Sequence, residues 1–133
     1  MLASLLTRRT FTFTIANMSA SANTVDWMQV NKLKDDKEVL LVDVRDPKEI
    51  EETGLIPGAI NIPLNTLENA LKNVTPEEFL TRYNREKPEM DTALIFSCRS
   101  GNRAGRALTI ASNLGYKNVK NYTGGWLDWE KHL

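Results

Sequence analysis

Two short, uninterrupted runs of apolar residues constrain the fold of this chain more than any other feature. The first lies in Glu38–Val44 and the second in Thr92–Phe96. A strand that is buried on both faces of a parallel sheet has this pattern, because neither face alternates with solvent. We therefore predict two central strands of a mainly parallel sheet, with further short strands at Ala59–Ile62 and Asn118–Tyr122.

Helical patterns separate the predicted strands. Helix starts are indicated by a capping Asp or Thr, or by proline in the first turn, at Asp26, Pro47 and Thr75. After Cys98, apolar residues recur along one helical face: Ala104, Ala107, Leu108, Ala111 and Leu114. We predict a last helical stretch at Trp126–Lys131, whereas Leu55–Pro57 and Thr66–Asn73 are predicted as loops. Strands that alternate with helices predict one α/β domain over residues 26–133.

Residues 1–25 differ in composition from the rest of the chain. They contain Arg8, Arg9, many Ser, Thr and Ala, and no acidic residue. This composition is typical of a mitochondrial targeting segment, so we predict a location in the mitochondrial matrix rather than the cytoplasm. A disordered tail is the alternative interpretation, and secretion is a third. Whether the segment is cleaved stays open.

The charge balance and the cysteine count exclude several classes of function. The 133 residues hold 17 basic and 17 acidic side chains, which gives no electrostatic reason to expect nucleic acid or anionic lipid as a partner. No apolar run reaches the roughly 18 residues of a membrane span. Cys98 is the only cysteine, so an internal disulfide and a multi-cysteine zinc site are excluded.

Glu49, Glu51 and Glu52 are predicted as an exposed helix face. No metal or cofactor is predicted, and the oligomeric state stays open.

Cys98 follows the second apolar run after one residue, Ser97, at the end of a strand where parallel sheets carry their functional loops. Between it and the next predicted helix lie Arg99, Ser100, Gly101, Asn102 and Arg103. Backbone N–H groups in the first turn of a helix lack intrahelical acceptors, and Gly101 allows them to curl around the sulfur. Together with the two guanidinium groups they favour the thiolate. We therefore predict that Cys98 is a nucleophile rather than a structural cysteine.

Four motifs also carry a family resemblance. They are Asp43–Glu49, Gly54–Ala59, Cys98–Arg103 and Gly124–Trp126. In this order they closely resemble the single-domain rhodanese (sulfurtransferase) family, from about Trp27 to Trp129. The resemblance implies a rhodanese-like α/β fold with a central, mainly parallel five-stranded sheet flanked by helices.

The resemblance also implies an activity and a set of roles. Cys98 takes a sulfane sulfur from a small anionic donor, thiosulfate or a persulfide, becomes a persulfide, and passes the sulfur on. Because the chain has no second cysteine, the acceptor is an external thiol such as glutathione or thioredoxin, or cyanide. Asp43 and Arg45 brace the site, Trp126 lies close by, and the loop holds the persulfide and the substrate anion through Arg99, Ser100, Gly101, Asn102 and Arg103.

Leu55 departs from the family pattern, which often has His at this position. The only histidine, His132, is next to last and is predicted to be a solvated tail residue. We therefore expect no imidazole to assist Cys98, which argues against a Cys-His hydrolase.

Two other functions stay open at this point. A cysteine-based phosphatase or arsenate reductase combines the same nucleophile with an arginine, although the phosphatases that resemble this fold have one residue more between the two than the four that separate Cys98 and Arg103. A non-catalytic rhodanese-type binding module is the other alternative.

Overall fold

The computed structural model describes residues 23–133 of the chain. Residues 1–22, which carry most of the predicted targeting segment, lie outside the described residues. The segment's last two residues, Thr24 and Val25, form a short strand at the edge of the sheet. Two residues carry too little periodicity for a strand to be recognised from sequence.

Residues 23–133 contain one five-stranded sheet in which every neighbouring pair of strands is parallel. The strand order is β1-β5-β4-β2-β3. The strands are β1 (Thr24–Val25), β2 (Val39–Asp43), β3 (Ile60–Asn61), β4 (Ala93–Ser97) and β5 (Val119–Tyr122). The predicted α/β fold with a parallel five-stranded sheet is therefore confirmed, and the two apolar runs are the adjacent central strands β2 and β4.

Helices flank the sheet on both faces. In the described residues they are α1 (Trp27–Leu33), α2 (Pro47–Thr53), α3 (Leu64–Lys72), α4 (Pro76–Tyr83), α5 (Asn102–Asn113) and α6 (Gly125–Glu130). The predicted caps are present: the carboxylate of Asp26 accepts the N–H of Gln29, and the hydroxyl of Thr75 accepts the N–H of Glu78. None of these helices has both the length and the apolar character that a membrane span requires.

The prediction of a loop at Thr66–Asn73 was wrong, because α3 covers most of this segment. Leu67, Ala70 and Leu71 are buried at helical spacing, so tertiary packing stabilises the helix. The N-cap position is occupied by Pro63, which has no side-chain acceptor. The start signal that identified the other helices is therefore missing here.

Alternation along the central strands divides the core into two layers. Leu40, Val42, Leu94 and Phe96 belong to the cluster that includes residues of α3, α4 and α5. Leu41 and Ile95 belong to the opposite cluster, which includes Trp126 and Trp129 of α6. Both faces are thus apolar, which explains the uninterrupted runs in the sequence.

The fold brings the carboxyl ends of β2 and β4 together. The N–H of Val44 donates to the carbonyl oxygen of Ser97 over 2.8 Å, directly after the two strands end. The N–H of Leu64, at the start of α3, donates to the carbonyl oxygen of Val44 over 3.0 Å. The Asp43–Glu49 motif, the cysteine loop and α3 therefore meet at one edge of the sheet.

Candidate active site

The Cys98 sulfur lies at the N-terminus of α5 and accepts two backbone hydrogen bonds. The N–H of Gly101 lies 3.1 Å from Sγ and the N–H of Ala104 lies 3.4 Å from it. Cys98 is only 1% exposed. The loop between β4 and α5 thus curls around the sulfur as the sequence predicted, and its amides favour negative charge there.

Gly101 is required at this turn for two reasons. Its φ is +98°, in the left-handed region where side chains are rarely tolerated. A Cβ atom at this position would also lie 2.8 Å from the carbonyl oxygen of Thr123. The segment between β5 and α6 therefore packs directly against the cysteine loop.

The first residues of α6 hold the loop from its other side. The N–H of Trp126 donates to the carbonyl oxygen of Cys98, and the N–H of Leu127 donates to that of Arg99 over 3.2 Å. The C=O and N–H of a trans peptide point in opposite directions, so the N–H groups of Arg99 and Ser100 face away from α6. Helix α6 thus binds the carbonyl oxygens of Cys98 and Arg99, and the N–H groups of Arg99 and Ser100 lie on the opposite side of the loop.

Asn121 is a site residue that the sequence analysis missed. It lies on β5, and its Nδ2 donates to the carbonyl oxygen of Gly101 over 3.2 Å. The contact holds the peptide group between Gly101 and Asn102, directly after the Gly101 N–H that donates to the Cys98 sulfur. An asparagine inside a predicted strand was the available signal, because Asn is depleted in strands and needs a polar partner when it is partly buried.

Asp43 and Arg45 form a buried ion pair at the end of β2. Both side chains are 2% exposed, and Nη2 of Arg45 lies 2.8 Å from Oδ2 of Asp43. Nε of Arg45 contacts both carboxylate oxygens at 3.0 Å. Arg45 also donates to the hydroxyl of Thr53 and to the carbonyl oxygen of Gly54. The pair therefore connects β2 to the end of α2.

Two further contacts hold Asp43 and Arg45 in place. The guanidinium of Arg45 lies 5.2 Å from the ring centroid of Trp126, within cation–π range. Asn61, which the sequence analysis also missed, donates from Nδ2 to the carbonyl oxygens of both Asp43 and Arg45 at 2.9 Å. Trp126 is mostly buried, and its indole N–H donates to the carboxylate of Glu130.

Glu49 and Arg103 form a second ion pair, between α2 and the first turn of α5. Nη1 and Nη2 of Arg103 lie 2.7 and 3.0 Å from the two carboxylate oxygens of Glu49. The side chains are only 29% and 28% exposed. The hydrogen bond from Arg103 holds the pKa of the Glu49 carboxyl at about 2, below its usual 4.5 and against the opposing effect of partial burial. The same bond raises the pKa of Arg103.

This pair corrects part of the sequence prediction. Glu51 and Glu52 are exposed on α2, as predicted for the acidic run, but Glu49 turns toward the cysteine loop. Glu49 and Arg103 are 54 residues apart, so no local pattern signals the contact.

The other loop side chains point to solvent. Arg99, Ser100 and Asn102 are exposed. Within residues 23–133 the structure shows no hydrogen bond or ion pair for the Arg99 guanidinium. Of the three arginines Arg45, Arg99 and Arg103, only Arg99 lacks an acidic partner in the described part of the chain.

His132 is exposed but ordered by packing. Its ring stacks on Trp27 with the centroids 4.0 Å apart, and its Nδ1 lies 3.0 Å from the carbonyl oxygen of Asp128. Leu55 is half-buried between α2 and β3. The described residues contain no cluster of three or more His, Cys, Asp or Glu that could hold a metal ion.

Comparison with known proteins adds a family match. A family model described as a rhodanese-like domain matches residues 26–132. The human thiosulfate:glutathione sulfurtransferase is 39% identical over 111 residues, which cover 83% of this chain and 95% of that protein. A putative mitochondrial thiosulfate sulfurtransferase of Schizosaccharomyces pombe is 41% identical over 98 residues, or 74% of this chain and 68% of that protein.

A solved structure agrees with these relatives. The human single-domain sulfurtransferase TSTD1 superimposes with a TM-score of 0.75 at 36% identity. The match covers 84% of this chain and 98% of that structure.

Proposed function

Because this chain belongs to the family of rhodanese-like domains, we propose that it is a sulfurtransferase that carries sulfane sulfur on Cys98. One observation carries the proposal. The only thiol of the chain accepts the backbone N–H groups of Gly101 and Ala104 at a helix N-terminus. Such an environment stabilises a thiolate and, after reaction, the negative charge of a persulfide. The names of the relatives as thiosulfate sulfurtransferases support the same conclusion.

The proposed reaction has two displacement steps. The Cys98 thiolate attacks the outer sulfur of thiosulfate, a new S–S bond forms, and sulfite leaves with the electron pair of the bond that breaks. A thiolate of the acceptor then attacks the outer sulfur of the Cys98 persulfide. The acceptor leaves as a persulfide and the Cys98 thiolate is regenerated, so no net oxidation of the protein occurs.

The loop supplies the binding groups in this proposal. The exposed side chains of Arg99, Ser100 and Asn102 meet the donor, and the amides of Gly101 and Ala104 hold the sulfur. The Asp43–Arg45 pair and Trp126 act behind the loop as support. Arg103 contributes through its backbone in the first turn of α5, because its guanidinium is bound to Glu49.

The acceptor in this proposal is an external thiol. The chain contains no second cysteine that could resolve the persulfide. The name of the human relative, a thiosulfate:glutathione sulfurtransferase, favours glutathione, and thioredoxin is a second candidate.

We also propose a mitochondrial location. The basic, acid-free composition of residues 1–25 supports it. The mitochondrial name of the S. pombe relative is consistent with it.

The ion pair disfavours a phosphatase. A cysteine-based phosphatase needs its loop arginine to bind the oxygens of a phosphoryl group. Both terminal nitrogens of Arg103 are instead occupied by the Glu49 carboxylate. The loop amides around an intact Cys98 likewise favour an enzyme over a binding module.

Intact-mass measurement tests the proposal. Purified protein is incubated with thiosulfate and then with glutathione, alongside Cys98→Ser. We expect a gain of about 32 Da, one sulfur atom, in the wild type only, and its removal by glutathione. A wild-type chain that gains no mass while Cys98 is reduced and alkylatable would defeat the sulfurtransferase assignment.

A further inference from the structure

The positive charge beside Cys98 is smaller than the sequence suggests. Three arginines adjoin the cysteine loop, but Arg45 is neutralised by Asp43 and Arg103 by Glu49. Arg99 alone has no acidic partner within residues 23–133. The three arginines and two carboxylates therefore contribute a net charge of about one unit.

The carboxylate of Glu49 is held firmly in its position over Arg103. Its Oε1 also accepts the backbone N–H of Asp46 over 3.1 Å, at the start of α2. The bidentate contact occupies both terminal nitrogens of Arg103. With a pKa of about 2, the carboxyl stays charged throughout the physiological pH range. Arg103 is therefore not free to turn toward a bound anion without breaking its two hydrogen bonds to Glu49.

We propose that Glu49 is a specificity-determining residue that, by neutralising Arg103, shifts the donor preference of the site away from doubly charged and toward singly charged sulfane donors. The inference rests on the proposed sulfurtransferase function. Each positive charge near the sulfur attracts a dianion twice as strongly as a monoanion at the same distance. Neutralising one arginine therefore reduces the binding of a dianionic donor more than that of a monoanionic donor.

The proposed shift concerns two classes of donor that differ in charge. Thiosulfate carries two negative charges, whereas a thiosulfonate with no other ionised group carries one. A thiosulfonate transfers its terminal sulfur to the Cys98 thiolate by the same displacement, and a sulfinate leaves in place of sulfite. The two donors thus share the bond that breaks and differ in charge, which makes them a matched pair of probes.

The test compares kcat and KM for thiosulfate and benzenethiosulfonate, with glutathione as acceptor, in Glu49→Gln and the wild type. Glutamine keeps the shape of the side chain and can accept from Arg103, but it removes the negative charge. We expect the ratio of kcat/KM for thiosulfate over benzenethiosulfonate to rise about fivefold, mainly through the KM of thiosulfate. Glu51→Gln is the matched control, because it changes the same charge on an exposed position of α2, and it should leave the ratio unchanged.

Two more variants complete a charge series, and the first of them keeps Glu49. Arg103→Gln leaves the Glu49 charge unopposed, so the donor ratio should fall about fivefold. The double variant Glu49→Gln/Arg103→Gln restores a net charge of zero for the pair, so its ratio should return to the wild-type value. If Arg103 bound the donor directly, the double variant would instead resemble Arg103→Gln.

The outcomes separate the inference from the function on which it rests. A donor ratio that follows the charge of the pair supports the inference. Equal losses of kcat/KM for both donors in every variant, or the same donor ratio in Glu49→Gln and Glu51→Gln, would overturn the inference. The sulfurtransferase function would still hold in that case, provided that the wild type turns over. Absence of turnover and of persulfide with both donors in the wild type would remove the function itself.

Discussion

The backbone N–H of Trp126 lies 2.8 Å from the carbonyl oxygen of Cys98, so the last helix of the chain binds the residue that we propose as the nucleophile. Leu127 makes the equivalent contact with Arg99. The shape of the cysteine loop is therefore set from two sides. The start of α5 donates to the sulfur, and the start of α6 donates to the carbonyl oxygens behind it.

Gly125→Ala should disrupt this arrangement. Gly125 has a φ of +60°, and a Cβ atom would lie 2.5 Å from the carbonyl oxygens of both Cys98 and Arg99. We expect a loss of about 2 kcal/mol in the free energy of unfolding and at least a tenfold slower persulfide formation. Urea unfolding and intact mass against time measure the two effects.

Gly115→Ala is the control for backbone strain. Gly115 also has a positive φ, of +106°, but the nearest atom to its Cβ would be the flexible Met90 sulfur at 3.4 Å. This variant should lose stability and keep the rate of persulfide formation. Equal rate losses in the two variants would show that α6 has no specific effect on the loop.

Asn121→Asp should weaken the thiolate environment. The change replaces the N–H donor to the Gly101 carbonyl with a negatively charged acceptor. We expect about a tenfold lower rate of Cys98 alkylation by iodoacetamide, because the loop peptide loses its support and a charge is added nearby. Asn113→Asp, exposed on α5, introduces the same charge elsewhere and should have little effect. A rate unchanged in Asn121→Asp would contradict the positioning role.

Arg45→Met should destabilise the protein more than any exposed substitution. It leaves the Asp43 carboxylate buried without its partner, which costs about 3–5 kcal/mol in comparable sites. The double variant Asp43→Asn/Arg45→Met should recover part of this loss, because it also removes the charge that was left unpaired. Denaturant unfolding of the wild type, Arg45→Met, Asp43→Asn and the double variant completes a double-mutant cycle. Additive losses would indicate that the pair is not coupled.

The Glu49 carboxyl should contribute a pH-dependent part of the stability. Its pKa falls from 4.5 to about 2 on folding, so the folded state binds the proton less tightly than the unfolded state. The stabilisation is therefore present above about pH 4.5 and is lost as the pH falls toward 2.

Glu49→Gln should consequently be less stable than the wild type by about 1 kcal/mol at pH 7, a typical size for a partly exposed ion pair. The difference should narrow as the pH falls from 4.5 toward 2. Urea unfolding at several pH values measures it. A difference that stays constant over this range would mean that the Arg103 contact does not lower the pKa of Glu49.

Local patterns account for what the sequence analysis predicted correctly. The central strands β2 and β4 were predictable because they have apolar residues on both faces. The curl of the cysteine loop was predictable because Gly101 lies between a strand and a helix. The contacts that were missed join distant segments: Glu49 with Arg103, and Asn121 with Gly101. Helix α3 was missed because burial of Leu67 and Leu71, rather than a capping signal, stabilises it.

The short outer strands have a consequence for the behaviour of the protein in concentrated solution. In the described part of the chain the edges β1 and β3 are two residues long, whereas the central strands β2 and β4 have five. An edge of this length offers few unpaired amide and carbonyl groups to the strand of another molecule. The apolar segments that would aggregate most readily if exposed are thereby kept in the middle of the sheet, beneath the cysteine loop.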